Sequence, residues 1–248
     1  MQVIIPMTGY GSRFKAAGYE DLKPFIKVGG KPMIEWVISM YPSDAKIILV
    51  MRQSTFQQYK LEIARIERNL TTVIIQDSKW KKEGPAIDAL AALPHLWPAD
   101  SVIVNYCDFF CLWDARKFDE EAKAKHATGA IPCYTGFHPH LIPEKNVYAS
   151  CKINKKGFLK EIKEKFSFEK DKTKAHHSPG IYWFENPSTM KLAVRLAKFF
   201  RLKLNGEYYM SLPYNCLRKV WVSDCVPYFC QWGTPEDLKE FELWMSEL

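Results

Sequence analysis

A glycine-rich loop and two nearby cations could together hold a chain of phosphates. Gly9 and Gly11 come directly after the apolar run 3–7, and the loop continues through Arg13. Glycine permits positive φ and close backbone approach, so successive N–H groups can point at phosphate oxygens. The guanidinium of Arg13 and the ammonium of Lys23, ten residues further on, are two ways to bind a triphosphate. The sequence therefore predicts a phosphate-binding loop after the first strand.

This loop departs from the two common phosphate-binding motifs, and a Gly-x-Gly turn alone is also typical of an ordinary structural turn. Phe14 stands where the dinucleotide-binding fingerprint has its third glycine. The loop also lacks the Gly-Lys-Ser/Thr ending of a P-loop. The argument for phosphate binding therefore depends on Arg13 and Lys23 rather than on the glycines alone.

An aspartate at the end of a predicted strand could add a metal ion to this pattern. Asp108 follows the apolar run 101–105, and ligands of parallel α/β sheets lie beyond the carboxyl ends of the strands. A carboxylate there can hold Mg²⁺ while phosphate oxygens and waters complete the octahedron. In the competing interpretation Asp108 caps the next turn, a role that Asp114 could fill instead. We predict a magnesium site at Asp108.

The elements that must position these residues alternate between strands and helices. The apolar runs of the first half predict four strands, over 3–7, 46–51, 71–76 and 101–105. Helices are expected to begin near Lys31, with Pro32 in the first turn, near Ser54 as a cap, and at Gly84. The second helix should run to about Asn69. This order predicts a Rossmann-like, three-layer α/β/α fold around a mixed, mostly parallel sheet.

The second half of the chain shows a more mixed pattern. Strands are predicted over 130–134, 147–153, 158–162 and 181–184. An amphipathic helix is expected over 187–202. The last helix should begin after Thr234, a plausible cap, with Asp237 at its third position as in a capping box. Repeats and low-complexity segments do not occur, which favours a single domain.

Composition and cysteine usage exclude several classes of protein. The 248 residues are 47% hydrophobic and 25% charged, as in soluble globular proteins. Each apolar run is far shorter than the ~20 residues of a membrane span, and the chain enters a strand at once, so we expect neither a membrane segment nor a secretory signal. The seven scattered cysteines lack disulfide-framework and zinc-site spacing. They favour reduced thiols in a cytoplasmic protein.

The net charge of +7 is concentrated in one segment. Between Lys152 and Lys174, nine lysines stand against four acidic residues. Such a run is typical of a solvated face, and it could also close over polyanionic substrates or bind nucleic acid. Because a nucleic-acid-binding motif does not accompany it, we expect small anionic partners rather than nucleic acid or a membrane.

Three segments of the first 35 residues resemble the N-terminal signature of the sugar-phosphate nucleotidyltransferases. They are VIIPMTGYGSRF at 3–14, Lys-Pro-Phe at 23–25 and Gly-Lys-Pro-Met-Ile at 30–34. The similarity is greatest to the branch found in bacterial capsule and surface-polysaccharide pathways, which has a GT-A-like nucleotidyltransferase fold. The resemblance implies that Arg13 and Lys23 are catalytic and grip the triphosphate. It also implies that the nucleotide lies on the loop backbone at Thr8, Gly9, Gly11 and Ser12.

Later landmarks of the family recur in order along the chain. Gly84 and Pro85 resemble the family's turn beside the base and ribose, and Gln76 stands where related enzymes place a base-reading amide. Asp108 is similar to the family's metal-binding aspartate, which implies Mg²⁺ as the cofactor.

Three more positions resemble the acceptor-binding part of the family. Lys165 matches the lysine of a Glu-Lys-Pro segment that contacts the acceptor's phosphate, although Phe166 replaces the proline. Gly180 lies in a Gly-Ile-Tyr segment like the one that lines the acceptor pocket. Glu207 resembles the acidic element that touches sugar hydroxyls in relatives.

The end of the chain contains the main departure from the family. The family's Gly-Thr-Pro helix start recurs at 233–235, but Gln231 stands where many members have an aspartate as a second magnesium ligand. An amide oxygen can ligate weakly and adds no charge. The second ligand is then absent or supplied elsewhere, for example by Asp224.

Together these residues imply an enzyme that moves a nucleoside monophosphate from a nucleoside triphosphate to a phosphorylated small molecule, with release of pyrophosphate. A sugar 1-phosphate is the expected acceptor, for surface-polysaccharide synthesis. A CTP-dependent enzyme acting on phosphocholine or another non-sugar metabolite is one alternative, and a non-catalytic nucleotide-binding homologue is another, which Gln231 admits.

Within one domain, 1–248, we expect a nucleotide-binding half over about 1–130, an acceptor-binding half over about 131–230 and a C-terminal helix over 234–248. The sequence identifies neither the base of the nucleotide nor the oligomeric state, and a homo-oligomer is one option.

Overall fold

A seven-stranded sheet forms the centre of the computed structural model, which describes residues 1–66, 69–144 and 146–246. The strands of the described residues are β1 (Gln2–Pro6), β2 (Lys27–Val28), β3 (Lys31–Pro32), β4 (Lys46–Arg52), β5 (Leu70–Ile75), β6 (Val102–Asn105), β7 (Phe109–Leu112), β8 (Gly129–Pro132), β9 (Ser150–Ile153), β10 (Leu159–Lys163), β11 (His176–His177), β12 (Ile181–Phe184), β13 (Val220–Ser223) and β14 (Tyr228–Gln231). In the central sheet the order is β13-β8-β12-β6-β1-β4-β5. Only β12 runs antiparallel to its neighbours in this sheet. The predicted mixed, mostly parallel sheet is therefore confirmed.

Helices cover both faces of this sheet. They are α1 (Ser12–Ala16), α2 (Met33–Ser39), α3 (Gln53–Ala64), α4 (Pro85–Ala89), α5 (Ala115–Ala124), α6 (Pro187–Phe199) and α7 (Pro235–Ser246). Successive side chains of a strand point to opposite faces, so Val3 and Ile5 pack with α2, α3 and α5, whereas Ile4 packs with α4 and α6. The three-layer α/β/α architecture is thus confirmed.

The first two predicted helix starts were wrong in detail. Lys31 and Pro32 form β3, which pairs with β2, so that Pro32 precedes α2 and stands at its N-cap. Ser54 lies inside α3, which begins one residue earlier and ends at Ala64 instead of near residue 69. The backbone N–H and the hydroxyl of Ser54 both donate to the Asp77 carboxylate, at 2.8 and 2.7 Å. A distant carboxylate therefore satisfies this helix start, which local sequence does not reveal.

Several other elements also have bounds that differ from the predicted ones. The predicted helix from Gly84 begins at Pro85, and after Ala89 it continues as a tighter 3₁₀ turn over Leu90–His95. The strand predicted over 147–153 is shorter and becomes β9. The last helix begins as predicted, because Thr234 N–H donates to Asp237 Oδ2 at 2.7 Å and Asp237 N–H donates to Thr234 Oγ1 at 3.2 Å.

One pairing that the sequence pattern did not predict shapes the site. Strands β7 and β14 form a separate antiparallel pair in which Phe109 lies opposite Gln231. At its end Trp232 N–H donates to the carbonyl of Asp108 at 2.9 Å. The segment 231–234 is thereby held beside the end of β6.

Two further features concern the cysteines and the helices. All seven cysteines are free thiols. Across the described ranges, the helices are all too short or too polar to cross a membrane.

Candidate active site

The glycine-rich loop turns the chain from β1 into α1. Gly11 precedes α1 with a left-handed φ of 61°, which glycine adopts without strain. A β-carbon at Gly11 would lie 3.5 Å from the backbone nitrogen of Lys23, so the loop packs directly on the turn that presents this lysine. Arg13 and Lys23 consequently line the same cavity.

Lys23 joins three distant parts of the chain. Its ammonium donates to Asp108 Oδ2 at 2.7 Å and to the carbonyl of Gly233 at 2.8 Å. The side chains of Lys23 and Asp108 are 16% and 32% exposed, so the ion pair stays accessible to a ligand. The turn after the loop, the end of β6 and the start of α7 therefore meet at one lysine.

Two cavities meet at this point. The first, which we call the glycine-loop cavity, has a volume of about 290 Å³ and lies between the loop and the start of α4. The second, the tyrosine cavity, has a volume of about 230 Å³ and is lined by the rings of Tyr106, Phe109, Tyr148, Tyr182, Tyr209 and Phe229. Both cavities share four lining residues: Arg13, Tyr106, Asp108 and Tyr209. A ligand in one cavity would thus touch the same arginine and carboxylate as a ligand in the other.

Most residues that the sequence assigned to the nucleotide line the glycine-loop cavity: Thr8, Gly9, Gly11, Gly84 and Pro85. Ser12 and Gln76 are exposed and line neither of the two cavities. The backbone carbonyl of Gln76 accepts from Lys79 N–H and Trp80 N–H in a turn.

The residues assigned to the acceptor are divided between the cavities. Lys165 and Gly180 line the tyrosine cavity. Glu207 lines the glycine-loop cavity instead, where it forms an ion pair with Lys82 at 3.1 Å. The sequence alone does not show that residues 207–209 pack against α4.

Gly84 permits this packing. Its φ is 109°, and a β-carbon there would lie 2.6 Å from the backbone nitrogen of Tyr208. Tyr208 N–H donates to the carbonyl of Glu83 at 2.7 Å, and Ala86 N–H donates to the carbonyl of Tyr208 at 3.1 Å. Only glycine fits this contact, which brings Tyr209 to the boundary between the two cavities.

Asp88 is a site residue that the sequence reasoning missed. It is buried in the wall of the glycine-loop cavity and accepts from the Thr8 hydroxyl at 2.5 Å and from the Trp80 indole N–H at 3.1 Å. Burial raises its pKa to about 6. The available signal was a single acidic residue in the otherwise apolar run 85–94. Asp88 fixes Thr8 and so orients the start of the loop.

Arg52 was missed as well, and it holds the loop from outside the cavity. Its Nε donates to the carbonyl of Thr8 at 2.9 Å, and its guanidinium carbon lies 4.4 Å from the ring centroid of Tyr10. A stacked arginine and a backbone bond together restrain both ends of the segment 8–10.

Glu164 faces the tyrosine cavity beside the predicted phosphate ligand Lys165. The Ser211 hydroxyl donates to its carboxylate. Burial raises the pKa of Glu164 to about 7, against smaller opposing effects of Ser211 and Lys165. Lys165 has a left-handed φ of 53°, rare for a residue with a side chain, and its ammonium lies 5.7 Å from the ring centroid of Tyr209.

Gln231, which stands where the family resemblance predicts an aspartate, is hydrogen-bonded to another carboxylate. Its Nε2 donates to Asp237 Oδ1 at 2.7 Å, while its Oε1 is buried without a hydrogen-bond partner among the described residues. Asp237 lines the tyrosine cavity with Asp108. Asp224, the alternative second ligand suggested by the sequence, lines neither of the two cavities and instead shares a 2.7 Å hydrogen bond with His176 Nδ1.

The donors at this point fit a magnesium ion completed by phosphate. Clusters of three or more histidine, cysteine, aspartate or glutamate residues that could hold a metal do not occur in the described part of the chain. Mg²⁺ usually takes only one or two carboxylates and completes its octahedron with substrate phosphates and waters. Lys23 occupies Oδ2 of Asp108, which leaves Oδ1 for such a ligand.

Comparison with known proteins identifies the class. Residues 3–161 match the MobA-like NTP transferase domain, and the chain belongs to this family. It is a nucleotidyltransferase, as the sequence resemblance to the sugar-phosphate nucleotidyltransferases implied. A search of curated protein sequences gave no match.

Solved structures share the fold over nearly the whole chain at low identity. A nucleoside-diphosphate-sugar pyrophosphorylase from Vibrio cholerae RC9 is 17% identical, with a TM-score of 0.77 over 97% of this chain and 99% of that one. A putative glucose-1-phosphate thymidylyltransferase from Bacillus anthracis, in complex with a sucrose, is 16% identical, with a TM-score of 0.70 over 100% and 96%. HddC from Yersinia pseudotuberculosis, complexed with GMP-PN, is 18% identical, with a TM-score of 0.64 over 98% and 99%.

Proposed function

We propose that the protein transfers a nucleoside monophosphate from a nucleoside triphosphate to a sugar 1-phosphate, with Mg²⁺, in surface-polysaccharide synthesis. The observation that carries this proposal is the junction of two cavities at Arg13 and Asp108. The glycine-loop cavity, built mainly from the half 1–130, would hold the nucleotide. The tyrosine cavity, to which the half 131–230 contributes Lys165 and Gly180, would hold the acceptor.

The proposed reaction is an in-line displacement at the α-phosphorus. An oxygen of the acceptor's phosphate forms a bond to this phosphorus while the bond to the bridging oxygen breaks and pyrophosphate leaves. A phosphate monoester is already anionic, so the attacking oxygen needs no general base. The protein's contribution is positioning and charge neutralisation.

Each cation of the site has a place in this scheme. Arg13 and Lys23 would neutralise charge that develops on the α-phosphate and on the leaving pyrophosphate. Lys165, which lines the tyrosine cavity with Arg13, would hold the incoming phosphate. Asp108 would hold Mg²⁺, which when bound would supply further positive charge at the site.

One feature of the tyrosine cavity favours a second candidate, a phosphorylated amine such as phosphocholine. Six aromatic rings and the Glu164 carboxylate line this cavity. Aromatic faces and carboxylates bind ammonium groups, including quaternary ones. Lys165 would hold the phosphate of such an acceptor, and the rings with Glu164 would hold its amine.

A substrate matrix would test the function and separate the candidates. Each of the four nucleoside triphosphates would be paired with sugar 1-phosphates, phosphocholine and phosphoethanolamine, and pyrophosphate release would be measured with Mg²⁺. Release with a sugar 1-phosphate supports the first candidate, and release only with a phosphorylated amine supports the second. Nucleotide binding without release from any pair would indicate a non-catalytic homologue.

The elevated pKa of Glu164 predicts a pH-dependent effect on stability. The folded protein holds this proton more tightly than the unfolded chain, since the pKa rises from 4.5 to about 7. The unfolding free energy therefore falls as the pH rises between these two values. Glu164→Gln removes this titration, so its Tm relative to wild type should be higher at pH 8 than at pH 5 by a few degrees. Glu161→Gln, in strand β10 just before Glu164 and outside both cavities, is the control for thermal melts. An equal Tm difference at both pH values would contradict this assignment.

A further inference from the structure

We infer that Asp237 supplies the second carboxylate of the metal-binding end of this site, and that Gln231 holds it in place. The family resemblance implies that many members have an aspartate with that role at the position of Gln231. The inference deepens the proposed metal-assisted transfer and rests on it. The structure gives three observations in its favour: the position of Asp237, its hydrogen bonds and the chemistry of residue 231.

The position of Asp237 brings it next to Gly233, whose carbonyl binds the same lysine as Asp108. Asp237 lies in the first turn of α7 and lines the tyrosine cavity together with Arg13 and Asp108. A β-carbon on Gly233 would lie 3.2 Å from Asp237 Oδ2, so this carboxylate packs directly on Gly233. The carbonyl of Gly233 accepts from Lys23, which also binds Asp108. The two carboxylates are therefore connected through Gly233 and Lys23.

Two hydrogen bonds fix the orientation of the Asp237 carboxylate. Thr234 N–H donates to Oδ2 and Gln231 Nε2 donates to Oδ1, each at 2.7 Å. A carboxylate has about four lone-pair sites, so two bonds leave capacity for a metal ion or its bound water. The first bond belongs to the helix cap. The second hydrogen bond, from Gln231, is not part of the cap, and it restrains the orientation of the Asp237 carboxylate.

The identity of residue 231 fits this arrangement. An aspartate at 231 would place a second negative charge against Asp237, and like charges in contact are unfavourable. Glutamine supplies a hydrogen-bond donor instead, which stabilises the Asp237 carboxylate. The number of carboxylates at this end of the site is then two, with Asp108 as the other.

Manganese binding tests the inference without reference to turnover. Mn²⁺ affinity would be measured by electron paramagnetic resonance in the presence of pyrophosphate, which avoids any choice of base. Asp237→Asn should weaken binding about tenfold, as expected for an outer or secondary metal partner. Asparagine keeps an oxygen that can accept from Thr234 N–H, so the helix start should survive, which a thermal melt would check. Glu240→Gln, an exposed charge removal on the same helix, is the matched control and should leave the affinity unchanged.

Two changes at Gln231 make the test decisive. Gln231→Ala removes the holding bond but not the cap, and should weaken Mn²⁺ binding by a smaller factor. The double change Q231D/D237N returns the carboxylate to the position that relatives use, and should restore much of the affinity lost in D237N. Should D237N fail to fold, Q231A decides the question, since unchanged binding in Q231A overturns the inference.

The outcomes separate this inference from the proposed function. Wild-type Mn²⁺ affinity in D237N would overturn the role of Asp237 and leave Asp108 as the single carboxylate. Asp108→Asn should abolish binding in either case. If D108N binds Mn²⁺ with pyrophosphate as tightly as wild type, the proposed metal site itself is wrong.

Discussion

Replacing Lys23 with alanine should lower kcat by about a hundredfold or more, and replacing Arg13 with alanine should do the same. Lys23 contacts Asp108 and the start of α7, and Arg13 lines both cavities, so each change removes positive charge at the junction. Pyrophosphate release with the best substrate pair from the matrix measures the effect. Because both cations are proposed to neutralise charge that develops in the transition state, KM should change less than kcat.

Two neighbouring lysines provide matched controls for these variants. Lys15 in α1 and Lys27 in β2 are exposed and line neither of the two cavities. Alanine at either position should leave turnover near wild type. Thermal melts should show that the Arg13 and Lys23 variants still fold. Near wild-type turnover in both of these variants would refute the site assignment.

The second large effect is expected for Asp108→Asn, which should reduce kcat by about 10² to 10³. Asparagine keeps an oxygen that can accept from Lys23, so the contact among 23, 108 and 233 can persist. What disappears is the negative charge that a magnesium ion requires. Kinetics at increasing Mg²⁺ would measure the loss, and saturating metal should not restore it.

Asp114→Asn is the control for this change. The Asp114 side chain caps α5 by accepting from Lys117 N–H at 2.9 Å, and asparagine caps helices equally well. Its turnover should match wild type. Equal activities of the two asparagine variants would show that Asp108 carries no metal-dependent function.

The sequence predicted the parts of the fold that depend on local pattern. Strands β1, β4 and β6 are apolar runs with clear ends, and their alternation with helices indicated the parallel sheet. The pair β7–β14 was not predicted, because its partners are short and lie more than 100 residues apart in the chain. No local signal indicates such a pairing, although it brings residues 231–234 to Asp108.

The same distinction between local pattern and long-range contacts applies to the residues of the candidate site. Arg13, Lys23 and Asp108 could be predicted because motif spacing and strand ends indicate where they lie. Asp88 and Asp237 were not assigned to the site, since their roles depend on burial and on partners that only the folded chain supplies. Gln76 was assigned by its place after a strand, and the structure puts it in an exposed turn.

The ion pair between Lys23 and Asp108 has a consequence for the order in which ligands arrive. Asp108 already has an internal counter-ion, so a bare magnesium ion would have to compete with an ammonium 2.7 Å away. A magnesium ion that arrives with a triphosphate brings anions to which Lys23 can transfer its hydrogen bonds. Under the proposed function, metal uptake would then be thermodynamically linked to nucleotide uptake, and each should raise the apparent affinity for the other.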